Sequence, residues 1–199
     1  DDENALRVEQ AKVSLKDINV QKTGGACSNS DSGNFYGMNA ALLVTNGAEV
    51  SISGAKVTTD AANGNGVFSY GTGTKVNISD SEITTAKDNS GGLMTAGGGT
   101  TVADNVSAAT SGKSSAALRS DRGGGTVTAS GGSYSTKGYD SPAVYSTAAI
   151  TVKDAKLTAE NSEALVIEGK NSLTLENCDV SGNMSKDTGT ASANNVQNV

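Results

Sequence analysis

A chain of 199 residues is long enough for one domain with a sizeable core. It holds 25 glycines, one proline, no tryptophan and no histidine, and only 4% of it is aromatic. Without an imidazole, a Ser-His-Asp triad, a Cys-His pair and a His-liganded zinc site are excluded, and a net charge of −6 with no run of Lys or Arg argues against a nucleic-acid partner.

No stretch approaches the ~18 consecutive apolar residues of a membrane span. The opening Asp1-Asp2-Glu3-Asn4 does not read as a signal peptide, and no metal-ligand or cofactor motif is present, so neither a metal nor a cofactor is expected.

Along the chain one pattern recurs seven times: apolar, polar, apolar, two bend residues, small, polar, apolar. Its anchors are Val13, Leu15, Ile18 and Val20; Val50, Ile52, Ala55 and Val57; Val76, Ile78, Ser81 and Ile83; Thr101, Ala103, Val106 and Ala108; Val127, Ala129, Gly132 and Tyr134; Ile150, Val152, Ala155 and Leu157; Leu173, Leu175, Cys178 and Val180. The starts are spaced by 37, 26, 25, 26, 23 and 23 residues, so one insertion, over residues 22–37, explains the outlier. A second block precedes each repeat and carries an apolar residue at Leu6, Leu42, Val67, Leu93, Leu118, Val144 and Leu165.

Apolar residues alternate at period 2 and no helical stripe is visible, so each repeat reads as two or three short strands. Bends such as Ser53-Gly54, Asp80-Ser81 and Ser130-Gly131 separate them. A repeat this short cannot bury its own apolar face, and stacking equivalent residues in parallel ladders about 4.8 Å apart solves that. The sequence therefore predicts an all-β, single-domain β-solenoid of about seven coils over residues 5–182, within one domain spanning 1–199. Residues 183–199 read as a polar cap or tail, partly disordered from Ser185.

The pattern resembles right-handed parallel β-helix proteins, the superfold of pectate lyases. It is closest in style to the Ser/Thr/Gly-rich adhesin-like surface proteins of gut Firmicutes, whose repeats look like Ala41-Leu42-Leu43-Val44-Thr45-Asn46-Gly47-Ala48-Glu49-Val50-Ser51-Ile52. That resemblance implies right-handed coils and a secreted or cell-surface bacterial module for binding or structural display, with a polysaccharide or a cell-surface protein as partner. The alternative it leaves open is a polysaccharide lyase or hydrolase. The lyases of that superfold cluster Asp residues on one outward face, but Asp17, Asp80, Asp104 and Asp154 fall at bends of distant coils, where an Asp commonly bonds its own backbone.

One outward column is large: Arg7, Leu43, Phe68, Met94, Arg119, Tyr145 and Val166. Two readings stand. The stripe is a flat binding face, extended by Arg122, or it is covered by the insertion, whose Phe35 and Tyr36 can fold over Leu43 and Phe68. Stacking of Arg119 on Tyr145 as a cation–π pair is expected. Arg119 and Arg122 can together grip the carboxylate of an acidic sugar, or be neutralised by Asp121. If the protein is an enzyme, Arg119 is the base, with Asp121 and Tyr145 beside it. The Thr-rich edges Thr58-Thr59, Thr84-Thr85, Thr110 and Thr136 suit strands as β-branched residues. Cys27 and Cys178 lie six coils apart, about 29 Å on the strand spacing, so both are expected as free thiols.

Overall fold

A computed structural model of the chain describes residues 1–184 and 196–198. The residues form an all-β solenoid of three parallel sheets in a single domain. The first sheet stacks Leu6–Glu9, Leu42–Thr45, Val67–Tyr70, Leu93–Ala96, Leu118–Ser120, Val144–Ser146 and Leu165–Glu168. The second stacks Lys12–Lys16, Glu49–Ser53, Lys75–Ser79, Gly99–Asp104, Gly125–Ser130, Ala149–Lys153 and Ser172–Glu176. The third stacks Asn19–Lys22, Lys56–Thr59, Glu82–Thr85, Ser107–Thr110, Ser133–Tyr139, Lys156–Asn161 and Asp179–Gly182. Seven layers enclose about six turns, one fewer than the expected coil count. Most of the expected cap or tail, residues 185–195 and 199, lies outside the described residues. The short strand Val196–Asn198 pairs antiparallel with Leu165–Glu168.

The predicted strand anchors meet their equivalents one coil away. Leu42 pairs with Val67, Val50 with Val76, Ile52 with Ile78 and Val57 with Ile83. These inward columns make one continuous core of Val, Leu, Ile and Ala. Parallel strands can stack this way only if each turn returns the chain with the same rise, and the bend between the second and third sheets shows how that is done. Asp17, Gly54, Asp80, Asn105, Gly131, Asp154 and Asn177 all take φ between +47° and +67° there, a left-handed conformation that only Gly, Asn and Asp adopt at small cost. No two carboxylates are adjacent in this column. Asn105 Nδ2 donates to Asp80 Oδ1 at 2.8 Å, and Asn177 Nδ2 to Asp154 Oδ1 at 2.6 Å. Asp104 is not itself a bend residue; it ends its strand, one position before Asn105.

Of the Thr-rich edges, Thr59, Thr85, Thr110 and Thr136 prove to be interior, while Thr58 is half-buried and Thr84 exposed. Thr85, Thr110 and Thr136 are buried and donate to the carbonyls of Ser90, Ser115 and Ser141. Those serines climb in turn: Ser141 Oγ accepts from Ser115 N, Ser115 Oγ from Ser90 N, and Ser90 Oγ from Gly64 N, at 2.9, 2.9 and 3.0 Å. A hydroxyl every coil thus satisfies the backbone of the turn leading back to the first sheet, which a dry turn would leave unpaired.

Tyr134 is the one ring in the inward columns. It fits because its neighbour below is Ala108, but its hydroxyl is buried with no hydrogen-bond partner among the described residues. An unsatisfied buried hydroxyl is destabilising, so Tyr134→Phe is expected to raise stability by about 1 kcal/mol, measured by urea unfolding; an unchanged or lower midpoint would refute this account. Burial also raises the phenol far above its ordinary value of 10.0. The unfolded phenol ionises first as pH rises, so Tyr134 leaves stability independent of pH below about pH 10 and lowers it progressively above. Wild type should therefore lose more stability than Tyr134→Phe between pH 9 and 11.

Candidate functional site

The outward stripe is real but is mostly not a surface. Leu43, Phe68, Met94 and Val166 are buried. Over the first three of these lies the insertion, which contains a helix that the strand-period reading did not anticipate: α1, Ser30–Tyr36. It is seven residues of largely polar sequence, too short to display a stripe. Its signals were its ends: Asn29 caps it by accepting from Asp31 N at 2.9 Å, and Gly37 closes it at φ +76°.

The cover is fastened along its length. Asn65 Nδ2 donates to Gly33 O at 3.1 Å, and Asn63 Nδ2 to Asn34 Oδ1 at 3.1 Å. Tyr36 meets Tyr70 edge to face, with centroids 5.5 Å apart. Arg122 lies 3.8 Å over the Phe35 ring and reaches Asp31 Oδ2 at 3.3 Å. Leu43, Phe68 and Met94 then form a second small core with Ala40 and Ala96. A flat binding face running the length of the rod is thereby ruled out. The apolar column is an interface within the chain.

Gly37 is where the cover descends onto the stripe. A Cβ there would lie 2.5 Å from Leu43 Cδ1 and 2.9 Å from Phe68 Cγ, and its φ is unfavourable to any L side chain by about 1–2 kcal/mol. Gly37→Ala is therefore expected to lower stability by at least about 1 kcal/mol and to raise binding of a hydrophobic dye at the uncovered stripe. A variant as stable and as dye-silent as wild type would show that the cover does not depend on this contact.

Beyond the helix the stripe continues with Arg119 and Tyr145, both only partly buried. They stack as expected, the guanidinium carbon 5.7 Å from the ring centroid. With Ser114, Ala116, Asp140 and Pro142 they line a cleft of about 170 Å³. Arg119 and Arg122 do not converge on a common anion. Arg119 donates from Nε and Nη2 to Asp121 Oδ2, the Nε bond being 3.1 Å, in a pair whose side chains are each 13% exposed. Arg122 turns away to the insertion, while its backbone N–H donates to Asp121 Oδ1 at 2.8 Å. The grip on an acidic sugar read from the two arginines is therefore not formed. Arg7, at the far end of the column, pairs with Glu9 at 2.9 Å.

Burial raises the Tyr145 phenol far above its ordinary value, helped by a hydrogen bond to Glu168 and by the charges of Glu168 and Asp121. Such a phenol is a poor base, and a guanidinium held by its own carboxylate is a poor one too. Asp140 Oδ2 accepts from the Ser114 hydroxyl at 3.1 Å. Sequence reasoning missed Ser114, Asp140, Pro142 and Glu168. The first three stand in the turns just before the stripe, and Pro142, the only proline, was the available signal.

A second, larger depression of about 390 Å³ lies on the outer face of the second sheet, around Ser14, Ser51, Asn77 and Val102, with no aromatic ring in its lining. Among the described residues there is no group of three or more Cys, Asp or Glu placed to hold a metal ion, and no helix long and apolar enough to cross a membrane. Both cysteines are free thiols; burial, then the Asp2 charge, raises that of Cys27. No protein-family model, no curated protein and no solved structure matches the chain.

Proposed function

We propose that this chain is a non-enzymatic β-solenoid module for binding and display, adhesin-like, working outside a bacterial cell, with glycan as its ligand and the Arg119–Tyr145 cleft as its contact point. One observation carries the reading. The only aromatic and guanidinium pair of the stripe left partly open lines a cleft in which Arg119 is already held by Asp121, Glu168 acts on the Tyr145 phenol, and Asp140 takes the Ser114 hydroxyl on one oxygen. An open ring beside fixed polar groups suits recognition of a sugar. Proton abstraction requires a free base within reach of the reacting carbon, and neither Arg119, held by Asp121, nor the protonated Tyr145 phenol is one.

The competing reading, a lyase or hydrolase with Arg119 as base, demands that the buried Arg119–Asp121 pair be broken in the reaction. Removing one partner of such a pair costs about 3–5 kcal/mol. The two readings part in a polysaccharide panel scored for both retention and chain cleavage. Retention without cleavage is expected for wild type, with retention lost in Tyr145→Ala. Cleavage by wild type that disappears in Arg119→Ala/Asp121→Ala, which removes the pair without stranding a charge, would establish the enzyme instead.

A further inference from the structure

From the size and charge of the cleft we infer that it takes one uncharged pyranose ring and rejects acidic sugars; this rests on the binding-module reading above and adds its ligand class. The cleft's volume of about 170 Å³ is well below the ~300–1,000 Å³ of sites that enclose drug-sized ligands. It admits a single ring, and the rest of a chain lies outside on the solenoid surface.

Charge decides which ring. Arg119 is neutralised by Asp121, and both Nη1 hydrogens and the second Nη2 hydrogen have no partner among the described residues. Asp140 has no cation paired with it: Oδ2 receives the Ser114 hydroxyl, and Oδ1 receives nothing from the described residues. Glu168 faces the Tyr145 phenol. Lys113, beside Ser114 in the chain, sits with its ammonium 5.2 Å over the Tyr139 ring. Asp121, Asp140 and Glu168 thus outnumber the one guanidinium at the cleft, so an entering carboxylate meets a net negative surface. Two hydroxyls of a neutral sugar match what is free: one donates to Asp140 Oδ1, the other accepts from Arg119 Nη1. The carbon face of the ring then lies on Pro142, Ala116 and the Tyr145 ring. Pro142 has a fixed φ, so that wall is already shaped before the sugar arrives.

The test is an NMR titration of the whole chain with methyl glucoside, methyl mannoside and methyl galactoside, each beside the matching methyl uronide that differs only by a C6 carboxylate. At least one hexoside should shift the amides of Ser114, Ala116 and Tyr145, with a Kd of about 1 mM, fitting so few contact atoms. Its uronide should bind at least about tenfold more weakly. Asp140→Asn should shrink that gap to about twofold or less. Tyr145→Ala should not bind.

A uronide binding as tightly as its hexoside would overturn the charge argument, and shifts confined to the second sheet would overturn the site. Glycosides silent while the polysaccharide panel is positive would overturn the single-ring size but leave the binding-module reading intact. Silence in both assays would sink both.

Discussion

In-register parallel stacking is the constraint on which everything else in this molecule depends. A coil of 23 to 26 residues has too little inward surface to form a core alone, so each layer is stable only against its neighbours. That is why the interior columns are chemically uniform and why departures come in compensated pairs, as where Tyr134 stands over Ala108. The requirement reaches the turns as well. A left-handed residue at each bend between the second and third sheets, and a serine at turns back to the first, repeat with the same period because backbone groups must meet their partners one coil away.

The insertion is the one element that escapes this periodicity, and it decides what the exterior presents. Large apolar side chains on an outward column would be an exposed patch of the kind that implies a partner. Here the partner is the chain's own helix. The result is a rod with two cores: the main one inside the coils, and a small one between the first sheet and α1. What is left beyond the helix is short and polar at its edges, which is why the candidate site is a cleft at one position along the rod.

The electrostatics of that cleft follow from the same geometry. Side chains one coil apart face each other across a single strand spacing, so an arginine in the stripe meets whatever occupies the next rungs: Tyr145 above it and Asp121 on its own strand's exit. The chain's acidic balance is expressed locally as carboxylates that hold the arginine and the phenol in place. Groups so engaged orient and recognise more readily than they transfer protons.

The solenoid was legible in the amino-acid sequence because its cause is periodic. A side chain that recurs every coil at the same point in a period-2 strand has only one arrangement that buries all its copies, and Leu6, Leu42, Val67, Leu93, Leu118, Val144 and Leu165 therefore announced their own neighbours. The buried Thr85, Thr110 and Thr136 were periodic too, but a threonine is equally at home on either face of a strand, and only the turn that follows decides that it points inward to a serine carbonyl. The cover over Leu43, Phe68 and Met94, the parting of Arg119 from Arg122, and the cleft walled by Asp140 and Pro142 had no periodic cause at all. They arise from contacts between segments distant in the chain, such as Arg122 on Phe35 and Asp31, and a contact made once leaves no repeated mark; only the tertiary structure decided it.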